Sequence, residues 1–223
     1  MSKKNNELSL INDSIEISAK TALSLIPIGG ALITGVWDAV KSNCAQKRLE
    51  EWQSLVEDKL CVLEHTLEDI GNNENFTTAL FHATEMAIKT AEQEKRKYLA
   101  NAVVNSISCN LEESIMMMFI NMIDKYTIMH INILAYFQDP RKFINDPHIA
   151  MGSPKGFLYK AYPQFEEHDE LVDKVVKELY YEGLLSTSEL NIIMSSQGMM
   201  SSRITKLGND FINFISNDQK DGD

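Results

Sequence analysis

The chain has 223 residues, of which 44% are hydrophobic and 24% charged, with a formal net charge of −11. That is ordinary globular composition, long enough for one large domain or two small ones, and it excludes a chain disordered throughout. The acidic balance repels phosphate backbones and anionic lipid, so binding either needs a local basic patch, and only short ones such as Lys95-Arg96-Lys97 and Arg141-Lys142 are present.

In chain order, the start MSKKNNELSL lacks the apolar run and cleavage site of a secretory leader, which points to the cytoplasm, and Met1 to Glu7 are expected to be disordered. Leu8, Ile11, Ile15, Ala19, Ala22 and Ile26 recur at helical spacing and predict a helix over 7–26. Pro27 and Gly29-Gly30 then turn the chain into a second helical run over 31–47. Over 49–70, Leu49, Trp52, Leu55, Val56, Leu60, Leu63, Leu67 and Ile70 line one face and acidic residues the other, an amphipathic helix stopped by Gly71-Asn72-Asn73. A further helix spans 76–89. Thr90 and Gln93 have capping-box spacing and predict another, running to about Ile107. The longest candidate is 111–137, apolar on more than one face and ended by Asp139-Pro140.

Four of the five prolines fall within 138–167, which reads as a linker with short helical pieces and marks the domain boundary. Asp169 to Tyr181 is an amphipathic helix with Leu171, Val172, Val175, Val176, Leu179 and Tyr180 inward. It runs into Gly183-Leu184-Leu185. A polar insert and Ile204-Thr205-Lys206-Leu207-Gly208 then open a last helix, with Phe211, Ile212, Phe214 and Ile215 closing a small core. That order is the pattern of winged-helix domains. Gly183 supplies the positive φ that ends one helix, and Thr205 caps the next. Residues 217–223 form a disordered tail. The fold class expected is therefore mostly α: an antiparallel helical bundle over 1–137, the linker, and a winged-helix-like module over 168–216.

Chemistry-bearing motifs are sparse. Cys44, Cys61 and Cys109 are odd in number and lack CxxC spacing, which suits a reducing compartment. His65, His82, His130, His148 and His168 are scattered, and His82 with Glu85 is read as a helix-surface pair rather than a metal site. No GxSxG, Walker A or GxGxxG motif is present, so neither enzymatic activity nor a cofactor is expected. The methionines Met116, Met117, Met118, Met122 and Met129 are read as core. The uncharged run 21–37, with Leu25, Ile28, Ile33 and Trp37, is short for a span and split by Pro27. We read it as a buried helical hairpin, the alternative being a membrane-perturbing segment released on activation. Nucleic-acid binding through Arg203 and Lys206 is the other alternative. It is disfavoured because the helix over 169–181 and its cap carry two lysines against five carboxylates.

Two stretches carry a family likeness: Glu94-Lys95-Arg96-Lys97-Tyr98-Leu99-Ala100, and Arg203 through Ile212. Following an apolar Pro/Gly segment and a long acidic-faced helix, they resemble the abortive-infection alpha family of small bacterial helical proteins with a winged-helix-like end. The resemblance spans most of the chain in architecture and is specific at roughly 90–105 and 202–215. It implies a bacterial host and a role in phage defence or mobile-element biology, and brings no catalytic residues with it. The function expected is a non-enzymatic protein-interaction protein and homo-oligomer, contacting its protein partner through Glu170, Lys174, Lys177 and Tyr181.

Overall fold

A computed structural model describes residues 43–61, 70, 72–109, 111–143 and 151–216. The expected helix over 7–26, most of that over 31–47, the apolar run with Leu25, Ile28, Ile33 and Trp37, and the tail 217–223 lie outside them. The described chain is mostly helical. By its internal contacts the chain divides into two units, residues 1–124 with 214–217 and residues 125–213 with 218–223.

In the first unit, α1 (Asn43–Leu60), α2 (Glu74–Lys89) and α3 (Gln93–Asn105) pack on one another. Ala79, Ala83 and Ala87 repeat every fourth residue along the buried stripe of α2. Such small side chains let neighbouring backbones approach closely. Trp52 is fully buried, and its indole N–H donates to the Thr84 hydroxyl at 3.0 Å, which satisfies its one polar atom. Asn73 caps α2 by accepting from the Phe76 amide at 2.9 Å. The expected capping box at Thr90 is not formed. Thr90 instead ends α2, its hydroxyl accepts from the Glu92 amide, and α3 starts after Glu92 with no side-chain cap. Asn101 and Asn105 of α3 donate to the carbonyls of Ile215 and Phe214, at 2.7 and 2.8 Å.

The long apolar stretch over 111–137 is two helices, α4 (Glu113–Lys125) and α5 (Ile128–Gln138). Thr127 between them takes extended backbone, and its amide donates to Nδ1 of His130 at 3.3 Å. That capping interaction restarts the helix, which apolar periodicity alone could not register. Of the methionines, Met116 is buried and Met118 is exposed.

The second unit holds α5, α6 (Pro154–Ala161), α7 (Asp169–Tyr181), the four-residue α8 (Ser196–Met199) and most of α9 (Lys206–Ile215). Two 3-10 turns, Pro140–Lys142 and Pro163–His168, each begin at a proline. The two-residue strands β1 (Met151–Gly152) and β2 (Met194–Ser195) pair antiparallel, with Met151 opposite Ser195 and Gly152 opposite Met194. Phe211 and Ile212 are buried in this unit. Phe214 and Ile215, expected in the same small core, belong to the first unit, where the Phe214 ring lies 5.7 Å from Phe119.

Candidate interaction surface

Helix α7 is fixed on its buried side by Val172, Val175, Val176 and Leu179, none more than 1% exposed. Leu171 and Tyr180, expected inward, are 45% and 40% exposed. They lie roughly 100° of helical phase to either side of the outermost stripe, at the flanks of the helix.

The C-terminal end of α7 is closed by Gly183, whose φ of +75° lets its amide reach the Tyr180 carbonyl (2.9 Å) and that of Leu184 reach Leu179 (2.8 Å). From there Leu185 bridges Ile204, the Ser186 amide donates to the Arg203 carbonyl, and the Thr205 amide donates to the Leu184 carbonyl. The Thr205 hydroxyl donates to the Gly183 carbonyl (2.6 Å) and accepts from the Gly208 amide (3.1 Å), capping α9. Gly208 must be glycine for space: a Cβ there would stand 2.4 Å from the Leu184 carbonyl oxygen.

The carboxylates of α7 fasten its polar flanks. Nζ of Lys155, on α6, lies 2.6 Å from both Asp169 and Asp173, and the Tyr159 hydroxyl donates to Asp169 at 2.5 Å. Burial alone would lower the pKa of Lys155, but the two aspartates outweigh it and raise it. Asp169 is held below the ordinary carboxylate range by Lys155 and Tyr159. At the other end Glu182 receives hydrogen bonds from Lys125 and Tyr126, which overcome the effect of burial and lower its pKa. Nδ1 of His130 accepts from the Thr127 amide, so its Nε2–H donates to Glu178 at 3.1 Å. Burial lowers the pKa of His130 despite Glu178.

The stripe opposite the buried one carries Glu170, Lys174, Lys177 and Tyr181, with Asp173 and Glu178 beside them, and together these line a shallow depression. Tyr181 is 81% exposed. Glu170 and Lys177 form no ion pair or hydrogen bond among the described residues. All four residues expected to meet a partner thus stand on one exposed stripe of one helix.

The chain matches no family model, no curated protein and no solved structure.

The remaining sequence candidates fall elsewhere. Arg203 is buried, with its guanidinium donating to the carbonyls of Gly198 (2.6 Å), Ser201 (2.9 Å) and Met199 (3.4 Å) and facing the Phe137 ring. These donors are used inside the unit, whereas Lys206 is exposed. His82 is exposed, and Glu85 pairs with Lys89. No group of three or more His, Cys, Asp or Glu suited to a metal ion occurs among the described residues, and no described helix is long and apolar enough to cross a membrane. Sequence reading missed Lys155, Lys125, Tyr126 and His130 as the anchors of α7. A cation set among apolar residues, as Lys155 is in Pro154-Lys-Gly-Phe-Leu158, was the one available signal.

Proposed function

We propose that the chain is a non-enzymatic protein-interaction protein. In this reading residues 168–216 form a winged-helix-like module, and its exposed α7 face docks a protein. The sequence resemblance adds a bacterial phage-defence or mobile-element setting. The observation that carries the reading is the exposed stripe of α7, where Tyr181 stands one turn beyond Lys177 and Glu170 lies at the far end, both charges without an ion-pair or hydrogen-bond partner among the described residues. A large, rigid, amphipathic tyrosine ring is enriched at protein contacts, and polar residues make up the rim around such a contact. The winged-helix assignment is supported by the Gly183 terminus of α7, the Leu185–Ile204 bridge and the Thr205 cap of α9. Nucleic acid is the weaker partner for this module, because Arg203 spends its guanidinium on backbone carbonyls.

Site-specific photo-crosslinking in cells tests the reading. A benzophenone amino acid at position 181 should give a discrete protein adduct, and one at exposed Lys142 should not. No adduct from 181, with or without phage infection, would refute it.

A further inference from the structure

Seven charged side chains belong to α7 and its cap residue Glu182, and five of them are paired inside the second unit. The two left over are Glu170 and Lys177. They have opposite sign, share one exposed stripe, and sit seven residues apart, about 10.5 Å along the axis. That spacing is too long for them to meet each other, since only positions three or four apart are neighbours on a helix.

The pattern becomes complementary when the helix meets a reversed copy of itself. A twofold axis passing between Asp173 and Lys174 sets Glu170 opposite Lys177 of the second copy, and Lys177 opposite its Glu170. The same axis sets Lys174 opposite Asp173 of the second copy, again with opposite sign. Each Tyr181 then falls opposite position 166 of the second copy, in the 3-10 turn just before its helix. A foreign helix would need an acidic and a basic residue at this spacing in reversed order, and the chain itself carries them. Resting on the interaction reading above, we propose that the α7 face pairs antiparallel with a second copy of this chain, forming an isologous dimer.

The thirteen-residue helix is about 20 Å long, so one helix laid on one helix buries less than a standard interface. The dimer is accordingly weak, in the micromolar range, and salt-sensitive, because its ion pairs lie at a solvated rim.

Sedimentation velocity on the purified full chain, from about 1 to about 100 µM at low salt, tests this. The wild type should pass from monomer to dimer across that range, and added salt should shift the transition to higher concentration. Glu170→Lys and Lys177→Glu should each stay monomeric throughout, because each sets like charges opposite one another. The double variant should recover the dimer. Circular dichroism confirms that all four proteins fold, both positions being exposed. A wild type monomeric up to about 100 µM, or single variants that dimerise as well as the wild type, overturns the proposal. If such a monomer still yields an adduct from position 181 in cells, the self-pairing fails while the interaction reading stands.

Discussion

On one side of α7, Val172, Val175, Val176 and Leu179 are shut away from water. Half a turn round, Tyr181 is 81% exposed, and Glu170 and Lys177 have no ion-pair or hydrogen-bond partner among the described residues. The flanks between these two faces are pinned by Lys155 at one end and by His130, Lys125 and Tyr126 at the other. The helix is thus held by its buried side and its flanks, and the outermost stripe contributes little to holding it. A stripe free of structural duty can carry residues chosen for contact. Substitutions on the two faces should therefore separate stability from binding.

The largest effect is expected on the buried face. Leu179→Ala removes a side chain with no exposure and leaves a cavity, costing about 2–5 kcal/mol, to be read from urea unfolding. Next comes the interlock at the end of the helix. Gly208→Ala drives a Cβ to 2.4 Å from a backbone oxygen, which cannot swing aside as a side chain could, and to 2.7 Å from Ile204. The expected cost is about 1–3 kcal/mol by the same measurement. If Gly208→Ala unfolds like the wild type, the close approach of α9 to Leu184 is wrong.

The ends of α7 and α9 also show what could be read without a structure. Gly183 and Thr205 were legible because their roles are local: a left-handed residue just past a helix, and a hydroxyl just before one. The bounds of α7 were legible for the same reason. The break at Thr127 was not, because the residues on either side continue the apolar pattern, and the new helix start is marked by one histidine three residues on. The anchoring of α7 was equally hidden. Lys155 reaches Asp169 and Asp173 across fourteen and eighteen positions of a proline-containing segment, a pairing that only the fold brings together. Arg203 looked like a surface cation because it stands among serines, while the carbonyls that hold it come from α8 and the turn after it.

Smaller effects come from the caps. Thr205→Ala leaves the Gly208 amide without its acceptor and should cost about 1 kcal/mol. His130 contributes through pH. Burial holds its pKa below 6.5 in the folded chain, so as pH falls below that value the unfolded state takes up the proton first. Stability is therefore lost on acidification through that window, and recovered as pH rises. The slope stays below about 1.4 kcal/mol per pH unit, since less than one proton is involved. Protonation would also place a hydrogen on Nδ1, where the Thr127 amide donates. His130→Gln should flatten the dependence between pH 6.5 and the onset of carboxylate titration. Glu182, lowered by Lys125 and Tyr126, adds a loss of the same sign only below 4.5.

The smallest stability change is expected at Tyr181, the most exposed of the large hydrophobic residues on α7. Tyr181→Ser removes a ring that is 81% in water and whose one aromatic contact is an edge-on approach to Tyr180 at 5.6 Å. Urea unfolding should move by less than about 0.5 kcal/mol, far less than for Leu179→Ala two positions earlier. Association should behave oppositely. The ring is the large apolar group of the exposed stripe, at its C-terminal end, and its loss should weaken whatever α7 binds by tenfold or more, that is by about 1.4 kcal/mol. Leu179→Ala, studied where it remains folded, should leave binding nearly unchanged. A Tyr181→Ser protein that is measurably destabilised would mean the ring packs against the fold, and the division of α7 into a holding side and a binding side would fail.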